Sequence, residues 1–238
     1  MSSEVSSIAQ SQLDLYDFFS VLLPGAYFLI TLIPVVPTSL PFGTASTAAV
    51  LLVGGYVVGR ALHTAAESYD KIFNVPSNRE TFINAITDED IDILSDEMID
   101  RFYGTAKADS GLAMPYDRRT AGDKDLSALY VYVRSQLYQH GNVRSQSFQA
   151  IYAFYRSTYL ATQLAVGCYL IYAIGQAVGY WSGVGGYSTY IGGLDIQAGT
   201  ILLSAEVLFV IGMLTLHDAK EDYRKYYIEY LIVDYLSK

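Results

Sequence analysis

The chain has 238 residues, 52% of them hydrophobic and only 16% charged, with a formal net charge of -9. An ordinary soluble domain carries about 25% charged residues, so the apolar excess points to lipid as a solvent. Twenty-four acids against fifteen bases exclude a surface built to hold nucleic-acid phosphates, and one cysteine, Cys168, excludes an intrachain disulfide or thiolate cluster.

Residues 1–17 hold no Lys or Arg, so they lack the basic start of a secretory signal and read as a short cytoplasmic lead. From Phe18 to Gly59 there is no Asp, Glu, Lys or Arg. About 20 apolar helical residues cross a bilayer core, so this stretch predicts a transmembrane hairpin over 18–63. Its spans run about 18–36 and 44–62, turning at Pro37 to Gly43. Pro24 withholds a backbone N–H inside the first span and, with Gly25, predicts a kink there. Gly55 and Gly59 lie four apart and share a helix face, a packing seam for a neighbouring helix whose identity the spacing leaves open. Arg60 and His63 close the second span at the membrane interface, where a long cation reaches the headgroups.

Residues 64–156 turn charged, with ten Lys or Arg and fourteen Asp or Glu, and predict a small helical cytoplasmic subdomain. Ser77 to Glu80 and Thr87 to Asp90 both read as capping boxes. After the second, Ile91, Leu94, Met98 and Phe102 fall on one predicted apolar face. Gly104 to Gly122 reads as a loop, and Lys124 to Gln139 as a helix with Leu126, Leu129, Tyr130, Val133 and Leu137 inward. The subdomain's core looks thin enough to need membrane helices or another subunit to complete it.

A helix begun near Asn142 is expected to run unbroken into a third span, with Arg156 at the water boundary. The second hairpin covers 157–217, with spans at about 157–181 and 197–216. Gly175 and Gly179 form a second packing pair, and Trp181 sits where aromatic residues meet an interface. His217 marks the other end, and residues 218–238 predict a cytoplasmic C-terminal helix that packs on the subdomain or lies along the headgroups. Every loop rich in Lys and Arg lies in 64–156 or 218–238, which puts both termini on the cytoplasmic side of a multi-pass cell-membrane protein.

Glu206, near the centre of the fourth span, is the chemically expensive residue, since a carboxylate there costs at least about 2.5 kcal/mol. It reads as a member of an acidic ring lining a cation pathway, as a proton-binding site, or as a neutral acid bonded to Gln163, Gln176, Ser204 or a backbone carbonyl. No nucleophile-base pair, phosphate loop or metal motif is visible, so no enzyme, cofactor or metal is expected. The acidic run from Asp88 to Asp100 fails the calcium-loop pattern, with Ile93 where Gly belongs.

The run from Tyr16 to Gly25, aromatic-rich and ending in Pro-Gly, with Arg156 after Phe154 and Tyr155, resembles a loosely defined group of uncharacterised prokaryotic four-pass membrane proteins. Some small proteins of that build act as pore-forming effectors in antiviral defence, and the resemblance implies the same general role here. The expectation is therefore an all-α polytopic protein with four spans in two hairpins. Its partners would be the bilayer, further copies of itself and a cytoplasmic protein or small-molecule trigger. It would conduct ions or perturb the membrane; the alternative is a non-conducting scaffold that recruits a cytoplasmic partner.

Overall fold

The structure is a computed structural model that describes residues 16–32, 44–87, 94–140, 144–177 and 198–238. Among the described residues it is all-α. A π-helical turn at Phe18–Leu22 leads into α1 (Leu23–Leu32), followed by α2 (Thr44–Ile72), α3 (Asn78–Thr87) and α4 (Asp96–Ser110). After a 3-10 turn at Arg118–Thr120 come α5 (Asp123–His140), α6 (Arg144–Ala177) and α7 (Ala198–Leu236). The described chain divides into two compact units, one of Glu67–Tyr152 with Glu221–Lys238, the other of Asp17–Ala66 with Ala153–Lys220. The divide falls inside three helices, α2, α6 and α7.

The first unit follows the rule of water-soluble folding: charge outside, large apolar side chains inside. Phe82 and Ile86 of α3, Ile99, Phe102 and Tyr103 of α4, and Leu126, Leu129, Tyr130, Val133 and Leu137 of α5 are all buried in one core. The α5 pattern is the one the sequence predicts. Tyr227, Ile228, Leu231, Ile232 and Tyr235 of α7 enter the same core, so the C-terminal helix supplies the apolar area that 64–156 lacks. Phe102 packs edge-on against both Phe82 and Tyr235, at 6.0 and 5.6 Å between ring centres.

Two local expectations change. Thr87 ends α3 and gives its hydroxyl to the carbonyl of Ile83. The rest of the predicted Thr87 to Asp90 box, and Ile91 with it, lies outside the described residues; α4 begins at Asp96 after an extended Ser95, and Asp96 and Glu97 load its first turn with favourable negative charge. Its inward stripe is accordingly Ile99, Phe102, Tyr103 and Ala106, and Met98 faces outward. Gly104 does not open a loop either: α4 runs through it to Ser110 and stops at Gly111, whose φ of +65° suits glycine.

Two polar devices hold the unit's ends. Ser77 and Glu80 form the predicted capping box, the Ser77 N–H donating to Glu80 at 2.6 Å and the Glu80 N–H to the Ser77 hydroxyl at 3.2 Å. The Ser77 backbone N–H holds the Glu80 carboxyl below its ordinary range. Arg118, only 3% exposed, donates to Asp100 at 2.6 Å, to Asp96 at 2.5 Å and to the terminal carbonyl region of α3 at Ile86. One guanidinium thus ties the end of α3 to the start of α4.

Replacing Asp96 and Asp100 together by Asn leaves the buried Arg118 charge without compensation, and chemical denaturation should show a loss of about 3–5 kcal/mol. Arg118→Met removes the charge as well and should cost less, about 1–3 kcal/mol. A fragment ending at residue 156 lacks the α7 part of the core and should give no cooperative unfolding transition, whereas the full chain gives one. Because Glu80 has a lowered pKa in the fold, its contribution is present above the ordinary carboxylate range and vanishes as pH falls through the folded value. The stability gap between wild type and Glu80→Gln should therefore close below about pH 4.

Candidate functional site

The second unit is built on backbone contact. A Cβ placed on Gly25 would land on the Gly55 carbonyl and come within 2.5 Å of the Gly59 nitrogen; one on Gly59 would strike the Val21 carbonyl group, 2.7 Å from its carbon. Gly55 is less extreme, facing the Ala26 backbone at 3.2 Å. The seam on α2 is therefore filled by α1, and Gly25 is its third glycine. The π-helical turn sits just before this crossing, with the Leu23 N–H donating to the Phe18 carbonyl. In a regular α-turn the Pro24 ring would press on the carbonyl of Ser20; the wider turn accommodates it. Asp17 and Arg60 approach to 3.9 Å beside the crossing, both well exposed, and such a pair adds little.

On α6 the buried residues include a run of small and hydroxylated side chains, Ser157, Thr158, Ala161, Thr162 and Ala165, beside Leu160, Tyr169 and Tyr172. The Tyr27 hydroxyl of α1 lies 2.9 Å from that of Thr162, which donates to the Thr158 carbonyl. Further along, the Tyr169 hydroxyl donates to the Thr31 carbonyl at 3.0 Å. The two bonds lie in the same order along both helices, so α1 and α6 run parallel. Tyr169 also meets Phe209 of α7 edge-on at 5.0 Å, while Tyr159 faces His217 at 5.5 Å, so α7 runs antiparallel to α6.

Glu206 stands on α7 near Tyr169, within electrostatic reach of its hydroxyl. The residue is half-buried, and its Oε2 is buried with no hydrogen-bond partner among the described residues. Eleven residues on, a polar belt begins. Arg156 lies 3.4 Å from the His63 ring, and the Nζ of Lys220, only 1% exposed, sits 5.2 Å from the centre of the Tyr159 ring.

Of the residues singled out in the sequence, Pro24, Gly25, Gly55 and Gly59 come together at one crossing. Arg60, His63, Arg156 and His217 all fall in the belt. Gly175 is buried in α6, and Gln163 is half-buried beside Thr162. Gln176 lies in α6 but its side chain is outside the described residues, as are Gly179 and Trp181 entirely. The α6 hydroxyl seam, Tyr27, Tyr169 and Lys220 were missed; small residues at spacing four, Ser157, Ala161 and Ala165, were the available signal. No protein-family model, curated protein or solved structure matches the chain.

By length and composition, one helix among the described residues, Arg144–Gly175, can cross a membrane; Phe18–Leu32 is a shorter apolar helix.

The glycines give a rank order that thermal unfolding of single alanine variants should reproduce. Gly25→Ala and Gly59→Ala meet backbone and should cost about 3 kcal/mol or more; Gly55→Ala should cost less. Gly54→Ala meets only the tip of Leu29, at 3.2 Å, and Gly167→Ala and Gly212→Ala meet nothing, so these should be neutral or stabilising by up to about 1 kcal/mol.

Proposed function

We propose that the chain is a four-pass membrane protein, with both termini and 64–156 cytoplasmic, whose membrane unit conducts ions as an oligomer in response to its helical domain. One observation carries the membrane part: the second unit is inside out relative to a soluble fold. Among the described residues, sixteen of its large hydrophobic side chains are exposed, against seven in the first unit, while its buried positions include Ser20, Ser157, Thr158 and Thr162. The exposed residues form stripes: Leu52, Val53, Tyr56 and Val57 on α2, Leu170, Ile171 and Ile174 on α6, and Leu203, Val207, Val210, Ile211 and Leu214 on α7. Side chains at i, i+4 and i+7 share one helix face, so water would meet continuous apolar ridges.

A core helix of a soluble protein would be mostly buried, whereas 44% of the apolar window of α6 is. The charge-free runs Phe18 to Gly59 and Ser157 to Leu194 give room for three crossings and α7 for a fourth, and the positive-inside rule gives the orientation. Glu206 supports the conducting reading, because an ionisable group at that depth is retained only at a cost. The completeness of the first unit's core favours a second reading, a membrane anchor that presents a folded helical domain to a cytoplasmic partner. The trigger and oligomer belong to both readings.

The protein should stay with membranes after an alkaline wash, and a tag after Gly193 should be reachable only from outside the cell. A chain recovered in the aqueous fraction would sink the membrane reading. In liposomes, Glu206→Gln should lower ion flux about tenfold or more; flux equal to wild type, or none from wild type, would leave the anchor reading in its place.

A further inference from the structure

We propose that Glu206 is a proton-binding carboxyl that exchanges its proton at the lipid-facing edge of α7, where an apolar reagent reaches it and a charged one does not. The inference rests on the membrane reading above and names the ion that the site takes.

Three observations place the group. The first is depth: at about 1.5 Å per residue, Glu206 lies roughly 17 Å along α7 from His217, close to half the thickness of a hydrocarbon core. The second is the split environment of the side chain. One carboxyl oxygen is buried against the protein without a hydrogen-bond partner among the described residues, yet the residue as a whole is half-exposed, between Leu203 and Val207 on the outer stripe. The third is the absence of countercharge among the described residues around it. Tyr169 faces it from α6, α1 reaches Tyr169 through the Thr31 carbonyl with Tyr27 one turn away, and α7 carries no other charged residue from Gln197 to Leu216.

A bound metal cation needs several oxygen ligands, which the described residues here do not assemble, whereas a proton needs one. A lone carboxyl desolvated without a cation is held neutral, and losing its proton exposes the full cost of a charge in lipid. The hydroxyls nearby do not compete for it. Tyr169 donates to Thr31, and Thr162 donates to Thr158, so the seam between α1 and α6 is closed on backbone carbonyls and leaves the acid at its edge.

Dicyclohexylcarbodiimide, an apolar carbodiimide, tests this on the full-length protein in membranes. The acid's proton passes to a carbodiimide nitrogen, a carboxyl oxygen bonds to the central carbon, and acyl transfer to nitrogen leaves a stable N-acylurea with no atom lost. Peptide mass spectrometry should find the adduct on Glu206 at about pH 6, and its rate should fall at least about tenfold by pH 9, since only the protonated acid reacts. A charged, water-soluble carbodiimide should modify exposed acids such as Glu97 and spare Glu206. Glu206→Asp should keep an adduct at that position and Glu206→Gln should lose it. No adduct at any pH in a protein that stays membrane-bound, or equal labelling by the charged reagent, overturns the inference and leaves the membrane reading standing. A chain found in the aqueous fraction overturns both.

Discussion

The crossing of α1 and α2 is the constraint from which the second unit is built. Three glycines, Gly25, Gly55 and Gly59, let two backbones touch; a Cβ on Gly25 or Gly59 would collide with a carbonyl, and one on Gly55 would press on Ala26. Contact of this kind gains dispersion over many atoms at once and loses no side-chain entropy. It also explains a neighbouring irregularity. Pro24 sits one residue before the closest approach, and the π-helical turn that accommodates its ring lets α1 keep its course into the crossing instead of breaking. With one face of α1 committed to α2, its Tyr27 and Thr31 are left to meet α6, and hydrogen bonds finish what the glycines begin.

The two units obey opposite rules with the same helices. In the first, Phe82, Phe102 and Tyr227 are buried and the acids face out; in the second, Leu52, Ile171 and Leu208 face out and threonines are buried. The change of rule occurs within α2, α6 and α7, each of which begins in one unit and ends in the other. Buried polar groups follow suit. Arg118 and Arg224 in the first unit reach carboxylates and backbone carbonyls, Arg224 meeting Pro76 at 2.9 Å, because a buried guanidinium needs several acceptors. Burial also raises the Tyr227 phenol far above its ordinary range, and its hydroxyl pairs with that of Tyr130 at 3.2 Å.

What was legible in the sequence was whatever depends on neighbours a few residues away. The α5 stripe, the Ser77–Glu80 box and the Gly55–Gly59 face are local patterns, and the structure has them as read. The predicted box at Thr87 to Asp90 falls, beyond Thr87, outside the described residues, and the inward stripe of α4 is set by the packing of Ile99 and Phe102 in the first core. The Tyr130–Tyr227 contact that joins the α7 tail to the first core spans 97 positions, and the pairing of Gly25 with Gly55 spans 30. No periodicity encodes such partners. The hydroxyl seam was missed for a related reason: Thr158 and Thr162 look like ordinary helix polarity until Tyr27 is brought opposite them.

Glu206 and Lys220 show how one helix can treat two buried charges differently. Lys220 lies where α7 enters the polar belt, and its ammonium is set against the face of Tyr159, 5.2 Å from the ring centre. Glu206 lies about 21 Å away along the helix, within electrostatic reach of Tyr169, whose hydroxyl donates to the Thr31 carbonyl. The cation–ring contact of Lys220 joins α7 to α6. The Glu206 carboxyl instead has one oxygen buried with no hydrogen-bond partner among the described residues, and an unpaired charge there is costly. On the proposal made above, Glu206 is the one of the two that changes state, and it stands on α7 between the exposed Leu203 and Val207.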